Sequence, residues 1–231
     1  MTEATHNINW VTFLLAWVAG FCDTATFVSG DGIFSAHVTG NFIVFAAQVA
    51  TGGDHMESWM KLITFPVFVF AVMAAGWAVE KTQKKYKILL VEGIVLMICG
   101  IGAILQPMLT GVEEKVMIYS IVMTTAAAMG LQNAFGKLFA KETHGPTTMM
   151  TGNVTQASLD LGNLIRKGRS GDALAWKDFQ GQVFTIGGFL AGCVIGAMMA
   201  KWLGLSAILL PGVAVVVCYL QGEVLARKFA P

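Results

Sequence analysis

This sequence is short of charge. Asp, Glu, Lys and Arg make up 13% of its 231 residues and hydrophobic residues 55%, whereas a soluble domain carries ~25% charged residues. A chain with so few charges cannot clothe a water-facing surface, which excludes an ordinary soluble domain. The formal net charge of +1 excludes a nucleic-acid binder, which needs a concentrated basic face to neutralise phosphates. Paired cysteines are missing too. Cys22, Cys99, Cys193 and Cys218 stand alone inside apolar stretches, so neither a disulfide frame nor a metal knot is expected, and they read as small apolar fillers. The chain also lacks a metal-spaced His/Glu set, a nucleophile elbow and a Gly-rich phosphate loop with its Lys, so no cofactor is expected and an enzyme is disfavoured. The stretch from Met1 to Trp10 has no basic flank of the kind that opens a secretion signal. The apolar run behind it carries Asp23 and no clear cleavage site, and is read as a retained first helix.

Long uncharged runs are abundant. Leu62 to Val79, Gly93 to Val112, Val116 to Gly136, Phe179 to Ala200 and Trp202 to Gly222 each approach the ~20 residues that cross ~30 Å of hydrocarbon as a helix. A sixth, about Ile8 to Gly30, is interrupted by Asp23. Two shorter stretches, Val38 to Gly53 and Gly145 to Leu159, are rich in Thr, Gly, Asn and Gln. The distribution of Lys and Arg separates two topologies, because cytoplasmic loops carry the positive excess. If the short stretches are re-entrant and both termini cytoplasmic, twelve of the 15 basic residues lie inside and only Lys61, Lys115 and Lys201 outside. If all eight stretches cross, the best orientation leaves seven inside and eight outside. The first arrangement is the expected one.

The chain reads as two related halves. Gly20 and Asp23 match Gly130 and Asn133 at one offset. Thr39, Gly40 and Asn41 match Thr151, Gly152 and Asn153 at an offset two larger, and Ala71, Gly76 and Lys81 match Ala191, Gly196 and Lys201. The first repeat is expected over 1–112 (spans about 8–30, 60–80 and 88–112, re-entrant 31–53). The second is expected over 113–231 (spans about 114–137, 179–200 and 202–222, re-entrant 145–165). A unit that crosses three times forces its copy to enter from the opposite side. The expected fold is therefore an all-α integral membrane protein with six transmembrane helices, two re-entrant half-helices and a 3+3 inverted-topology repeat. Backbone exposed at a broken helix is tolerated only where protein buries it or a wet cavity receives it.

The polar residues of the apolar interior supply the candidate site. Ser35-Ala36-His37-Val38-Thr39-Gly40-Asn41 and Thr147-Thr148-Met149-Met150-Thr151-Gly152-Asn153 each place a hydroxyl, a permissive Gly and an amide at the mouth of a short helix. Two opposed helix N-termini can hold a solute or an anionic group, and the same residues can equally be plain N-caps. Asp23 is the only acid well inside the first span, where an unpaired charge costs ~3 kcal/mol or more. Its counterpart is Asn133, beside Gln132. Asp23 either couples a proton or cation or caps a nearby helix end, and its neighbours Ala16 and Gly20 on the same face let another backbone approach. His37 either relays protons with Asp23 or is a hydrogen-bonded structural residue. Glu92 follows Lys87 closely and is expected to snorkel to the cytoplasmic interface. Gly188, Gly192 and Gly196 recur every four residues, a bare helix-packing face. Asn153, Gln156, Asp160 and Asn163 form a polar stripe that lines either a wet path or a packed face.

Ala19-Gly20-Phe21-Cys22-Asp23 with His37-Val38-Thr39-Gly40-Asn41, and Gly130-Leu131-Gln132-Asn133-Ala134 with the second Thr-Gly-Asn string, resemble the YoaK family of bacterial inner-membrane proteins. The resemblance covers nearly the whole chain and rests on these motifs in combination. It implies a multi-pass protein of the bacterial inner membrane and supplies no substrate, because the family was defined as a domain of unknown function. Members often carry an Arg after the Gly-x-Gln-Asn-Ala string, where this chain has Lys137, so a role needing a bidentate guanidinium there is in doubt.

The function expected is transport of a small solute through a midplane site between the two Thr-Gly-Asn turns. The substrate-binding candidates are Asp23, His37, Thr39, Gly40, Asn41, Gln132, Asn133, Thr148, Thr151, Gly152 and Asn153, with Asp23 as the coupling residue if a proton drives the process. A passive channel is the alternative, and a membrane-embedded enzyme or a structural, partner-binding membrane protein is the alternative of another class. The expected partners are the lipid bilayer and a small molecule or ion, and a Gly-lined face leaves room for a homodimer.

Overall fold

Every described element is a helix, as the scarcity of water-compatible sequence requires: in lipid the backbone must satisfy its own hydrogen bonds, and a helix does so within one segment. The computed structural model describes residues 3–52, 55–82, 86–108, 111, 113–140, 143, 147–167 and 173–228. The helices are α1 (Glu3–Ser29), α2 (Gly40–Ala50), α3 (His55–Thr82), α4 (Lys87–Leu105), α5 (Glu114–Leu138), α6 (Met150–Lys167), α7 (Ala173–Leu203) and α8 (Leu209–Lys228). Short 3₁₀ turns at Gln106–Met108 and Gly204–Ile208 follow α4 and α7.

Four stretches are long and apolar enough to cross a membrane, by length and composition. They are Ile8–Ser29, Met56–Glu80, Lys87–Met108 and Ala175–Gln221, the last covering both α7 and α8. Their outward faces are apolar as well: Phe70, Trp77, Ile98, Leu190 and Trp202 are all exposed. A soluble monomer does not present apolar surface on this scale, and here it calls for a hydrocarbon solvent. Lys61, counted on the outer side at the edge of the expected span 60–80, lies within α3 and is buried. Its ammonium donates to the carbonyl oxygens of Asp31 (2.9 Å) and Glu57 (3.4 Å), which replace its water. Lys115 pairs with Glu57 at the same end of the bundle.

Helix directions follow from which residues meet. On α7 the glycines at 188, 192 and 196 face the backbone carbonyls of Phe13, Trp17 and Phe21 on α1. The two helices therefore run parallel with their backbones in contact, as the bare-face reading requires. Gly20 faces the Phe189 carbonyl in return. α3 and α5 also run parallel, since Glu57 meets Lys115 and Gly130 packs on Phe68 and Ala71. α4 and α8 run antiparallel, Gly93 against Gly212 and Val216, and Gly100 against Leu209. α1 is the most buried of the membrane-length stretches, because α7, α8 and part of α5 surround it.

The chain after α1 turns back on itself. Asp31 and Gly32 both adopt left-handed backbone (φ 56° and 67°), which reverses the direction, and the Gly32 N–H closes on the Phe27 carbonyl. α2 then runs antiparallel to the first part of α3, with Asn41 at the level of Thr64 and Gln48 at that of Ser58. Its 11 residues make a helix of ~16 Å, about half the hydrocarbon thickness. Pro66 lies inside α3 at this depth, where its missing N–H leaves the carbonyl one turn back without its helical partner.

Candidate functional site

The first turn is built on Asp23. Its carboxylate is buried, and Oδ1 accepts from the backbone N–H groups of Ala36 (2.8 Å) and His37 (3.2 Å), while Oδ2 lies 2.7 Å from His37 Nδ1. One side chain on α1 thereby fixes the loop and orients the imidazole. His37 stands in the segment between α1 and α2, outside the four membrane-length stretches. The hydrogen bond that the Asp23 carboxylate accepts from the protonated ring raises its pKa from the ordinary value, against burial, which lowers it. The imidazole face also meets Phe189 of α7, with ring centroids 5.6 Å apart.

Asn41 anchors the same loop from the other side. Its Oδ1 accepts from the Phe34 N–H (2.8 Å), and its Nδ2 donates to the Phe34 carbonyl (2.8 Å) and to Thr64 Oγ1 (2.9 Å). Both donors and the acceptor are occupied within the protein, and the residue is fully buried. Asn41 is therefore a staple between loop and α3. Thr39 takes the N-cap position of α2 yet makes no side-chain capping bond, so the plain N-cap reading does not account for it.

Both turns line one cavity of about 500 Å³, together with α3. From the first turn come Ala36, His37, Val38 and Thr39; from the second Thr148, Met149, Met150, Thr151 and Gly152; from α5 Asn133; and from α3 Phe65, Phe68, Val69, Val72 and Met73. The walls are mostly apolar with a few polar groups, the usual make-up of a small-molecule site. Two of those groups lack partners: the Thr148 hydroxyl and the Asn133 side-chain oxygen have none among the described residues, and Thr148 is only 3% exposed. A buried polar atom without a bond costs ~1–3 kcal/mol, so these atoms call for water or a ligand.

Of the candidate residues, His37, Thr39, Asn133, Thr148, Thr151 and Gly152 meet at this cavity. Asp23 reaches it only through His37. Gln132 is buried behind it, donating to the Leu15 carbonyl (2.7 Å) and Thr147 Oγ1 (2.9 Å), so it ties the second turn to α1. Gly40 packs beside Phe34, and Asn153 is buried at the start of α6. The α3 wall is absent from the sequence expectations, because apolar residues on an apolar helix carry no signal there; only Pro66 marks it. In the polar stripe of α6, Asn153 and Asp160 are buried, whereas Gln156 and Asn163 are exposed. Gln156 donates to Asp160 Oδ1 at 2.9 Å, so half of that stripe is a packed face against α7.

Glu92 does not snorkel. It is fully buried, because Lys87 lies five residues back and thus ~140° around the helix, and α4 turns the carboxyl into the bundle.

No curated protein and no solved structure shows a significant match to the chain. A family model described as a protein of unknown function (DUF1275) matches residues 11–220, nearly the full length, and the chain belongs to that family.

Proposed function

We propose that this protein is a membrane transporter of a small solute, with its binding site in the cavity between the two Thr-Gly-Asn turns. The observation that carries the reading is the convergence of both turns on one largely apolar space lined by Thr148 and Asn133, whose side-chain oxygens are buried with no hydrogen-bond partner among the described residues. In this reading α1, α3, α4, α5, α7 and α8 cross the bilayer, and α2 and α6 are half-helices that start near the midplane. Residues 1–112 and 113–231 are then inverted copies. The matched positions Gly20 and Gly130 support the repeat: each lies against a helix carbonyl in the other half, Phe189 and Phe68 respectively. The inward loops carry most of the Lys and Arg, which supports cytoplasmic termini. The resemblance to the YoaK family supports the bacterial inner membrane. No enzymatic step is assigned.

A passive channel is the second reading, favoured by Asp23, whose carboxylate is already engaged by two backbone N–H groups and His37. A residue so occupied couples a proton only through His37. Ligand-induced melting shifts across a metabolite panel identify the solute, and uptake into proteoliposomes with and without a pH gradient then separates the two readings. Thr148→Val, near-isosteric, is expected to lower uptake at least tenfold, the ~1.4 kcal/mol of one lost hydrogen bond. Unchanged uptake in this variant removes the cavity as the site.

A further inference from the structure

Away from the cavity, α4 carries a carboxyl that the proposed transport site does not use. Glu92 is 0% exposed, and neither of its carboxyl oxygens has a hydrogen-bond partner among the described residues. The seam beside it is closed: a Cβ on Gly93 would lie 2.7 Å from Val216 Cγ2 and 3.0 Å from the Gly212 carbonyl oxygen. Among the described residues, the thiols of Cys22 on α1 and Cys218 on α8 lie close enough to interact with it. Neither can supply a positive charge.

The other ionisable residues of the surrounding helices occupy other positions along them. On α1, Asp23 is engaged by the loop, and Glu3 and His6 belong to the first turns. On α5 the charged residues Glu114, Lys115 and Lys137 stand at the two ends, with Tyr119 one turn in. On α8, Tyr219 is followed by Glu223, Arg227 and Lys228 toward the end of the helix. The 3₁₀ turns carry no charge, and on α4 itself Lys87 points to another face while Cys99 lies two turns on.

We propose that Glu92 is a proton-binding site within the bundle, independent of the solute cavity. A carboxylate stripped of water, with no donor and no cation beside it among the described residues, is compensated most readily by a proton forming the O–H bond of the neutral acid. Glu92 holds that proton in the packing seen here, and returns it to water only when the seams around α4 open. Its occupancy thus reports whether those seams are closed, whatever solute the protein carries.

The test compares the full-length protein and Glu92→Gln in lipid nanodiscs. At neutral pH the infrared spectrum of the wild type shows a protonated-carboxyl C=O stretch that is missing from E92Q. In the unfolded chain an exposed Glu ionises near ~4.3, so the folded wild type holds one more proton than the unfolded chain above that pH. Its stability then falls as pH rises, and E92Q lacks this penalty. E92Q therefore melts about 2–4 °C or more above the wild type at neutral pH, with the gap closing on acidification. Identical carboxyl bands in the two proteins, or an E92Q that melts below the wild type by the same margin at every pH, overturns the proposal. Should E92Q yield no folded protein, wild type grown with carbon-13 carboxyl-labelled glutamate decides it. An isotope-shifted protonated-acid band at neutral pH supports the site, and its absence rejects it.

Discussion

Two parallel helix pairs hold this molecule together, and they are packed differently. Along α1–α7, four glycines, at 20, 188, 192 and 196, set backbone against backbone. Along α3–α5 Gly130 does so, and space remains at both ends of that seam. A cavity of about 550 Å³ lies beside Met56, Glu57 and Lys115, and one of about 290 Å³ where Ala75, Ile88 and Leu131 meet. The aligned glycines Gly76 on α3 and Gly196 on α7 differ in the same sense. A Cβ on Gly196 would lie 2.7 Å from the Phe21 carbonyl, and a Cβ on Gly76 meets nothing within 4 Å. A close-packed seam resists sliding, whereas a seam with voids forfeits contacts it never made. Of these two pairs α1–α7 is thus the stiffer, and α3–α5 the one along which movement costs less.

The largest expected effect is at the stiff seam. Gly192→Leu drives a side chain onto the Trp17 carbonyl of α1, and α7 must leave α1 to admit it. We expect more than ~3 kcal/mol of destabilisation and no monodisperse protein on size exclusion in detergent. Gly192→Ala and Gly76→Ala then have opposite signs. The first lowers the melting temperature. The second raises it, by up to the ~1 kcal/mol that Ala gains over Gly in a helix. Equal effects of the two Ala variants would erase the distinction between the seams.

The first turn is tied to both pairs, to α3 through Asn41 and to α1 through Asp23, so cutting each tie tests which seam positions it. Asn41→Leu removes three hydrogen bonds and leaves the part-buried N–H and carbonyl of Phe34 unmet. The expected cost is about 2–4 kcal/mol, read as a lower melting temperature with impaired solute binding. Asn153→Leu is expected to impair binding too if the halves share one site; binding lost in only one of the two variants dismisses the two-turn site. Asp23→Asn keeps one acceptor for the loop and loses the charge. It is expected to cost about 1–3 kcal/mol, to leave the protein folded in detergent and to abolish gradient-driven uptake. Full retention of gradient dependence ends a coupling role for Asp23.

How far the sequence reached follows from the same residues. The apolar runs of α1, α3, α4, α7 and α8 and the glycine face of α7 were legible, since length and periodicity are properties of one segment, whereas the α3 wall of the cavity carried no signal. Asn41 was not, because an amide at a Thr-Gly-Asn turn looks the same whether its donors meet a solute or the backbone of Phe34. Glu92 was misjudged by sequence distance: Lys87 is near along the chain and far around the helix. Which helix sits at the centre was hidden as well, because α1 is no more apolar than its neighbours and owes its burial to α7 and α8.

The smallest effect belongs to the open end of the loose seam, where Glu57 and Lys115 join α3 to α5. The Lys115 side chain is 52% exposed, so water and salt screen the pair, and its contribution to stability is about 0–1 kcal/mol. A double-mutant cycle with Glu57→Gln and Lys115→Met, read by thermal melting, should return a coupling energy inside that range and smaller still at high salt. If α3 and α5 part during transport, the same variants change the rate more than they change the melting temperature, because a tie lost on opening biases the closed state alone. A coupling well above ~1 kcal/mol would instead make this end of the seam as firm as the glycine-packed one, and the division of the bundle into a stiff and a yielding pair would fail.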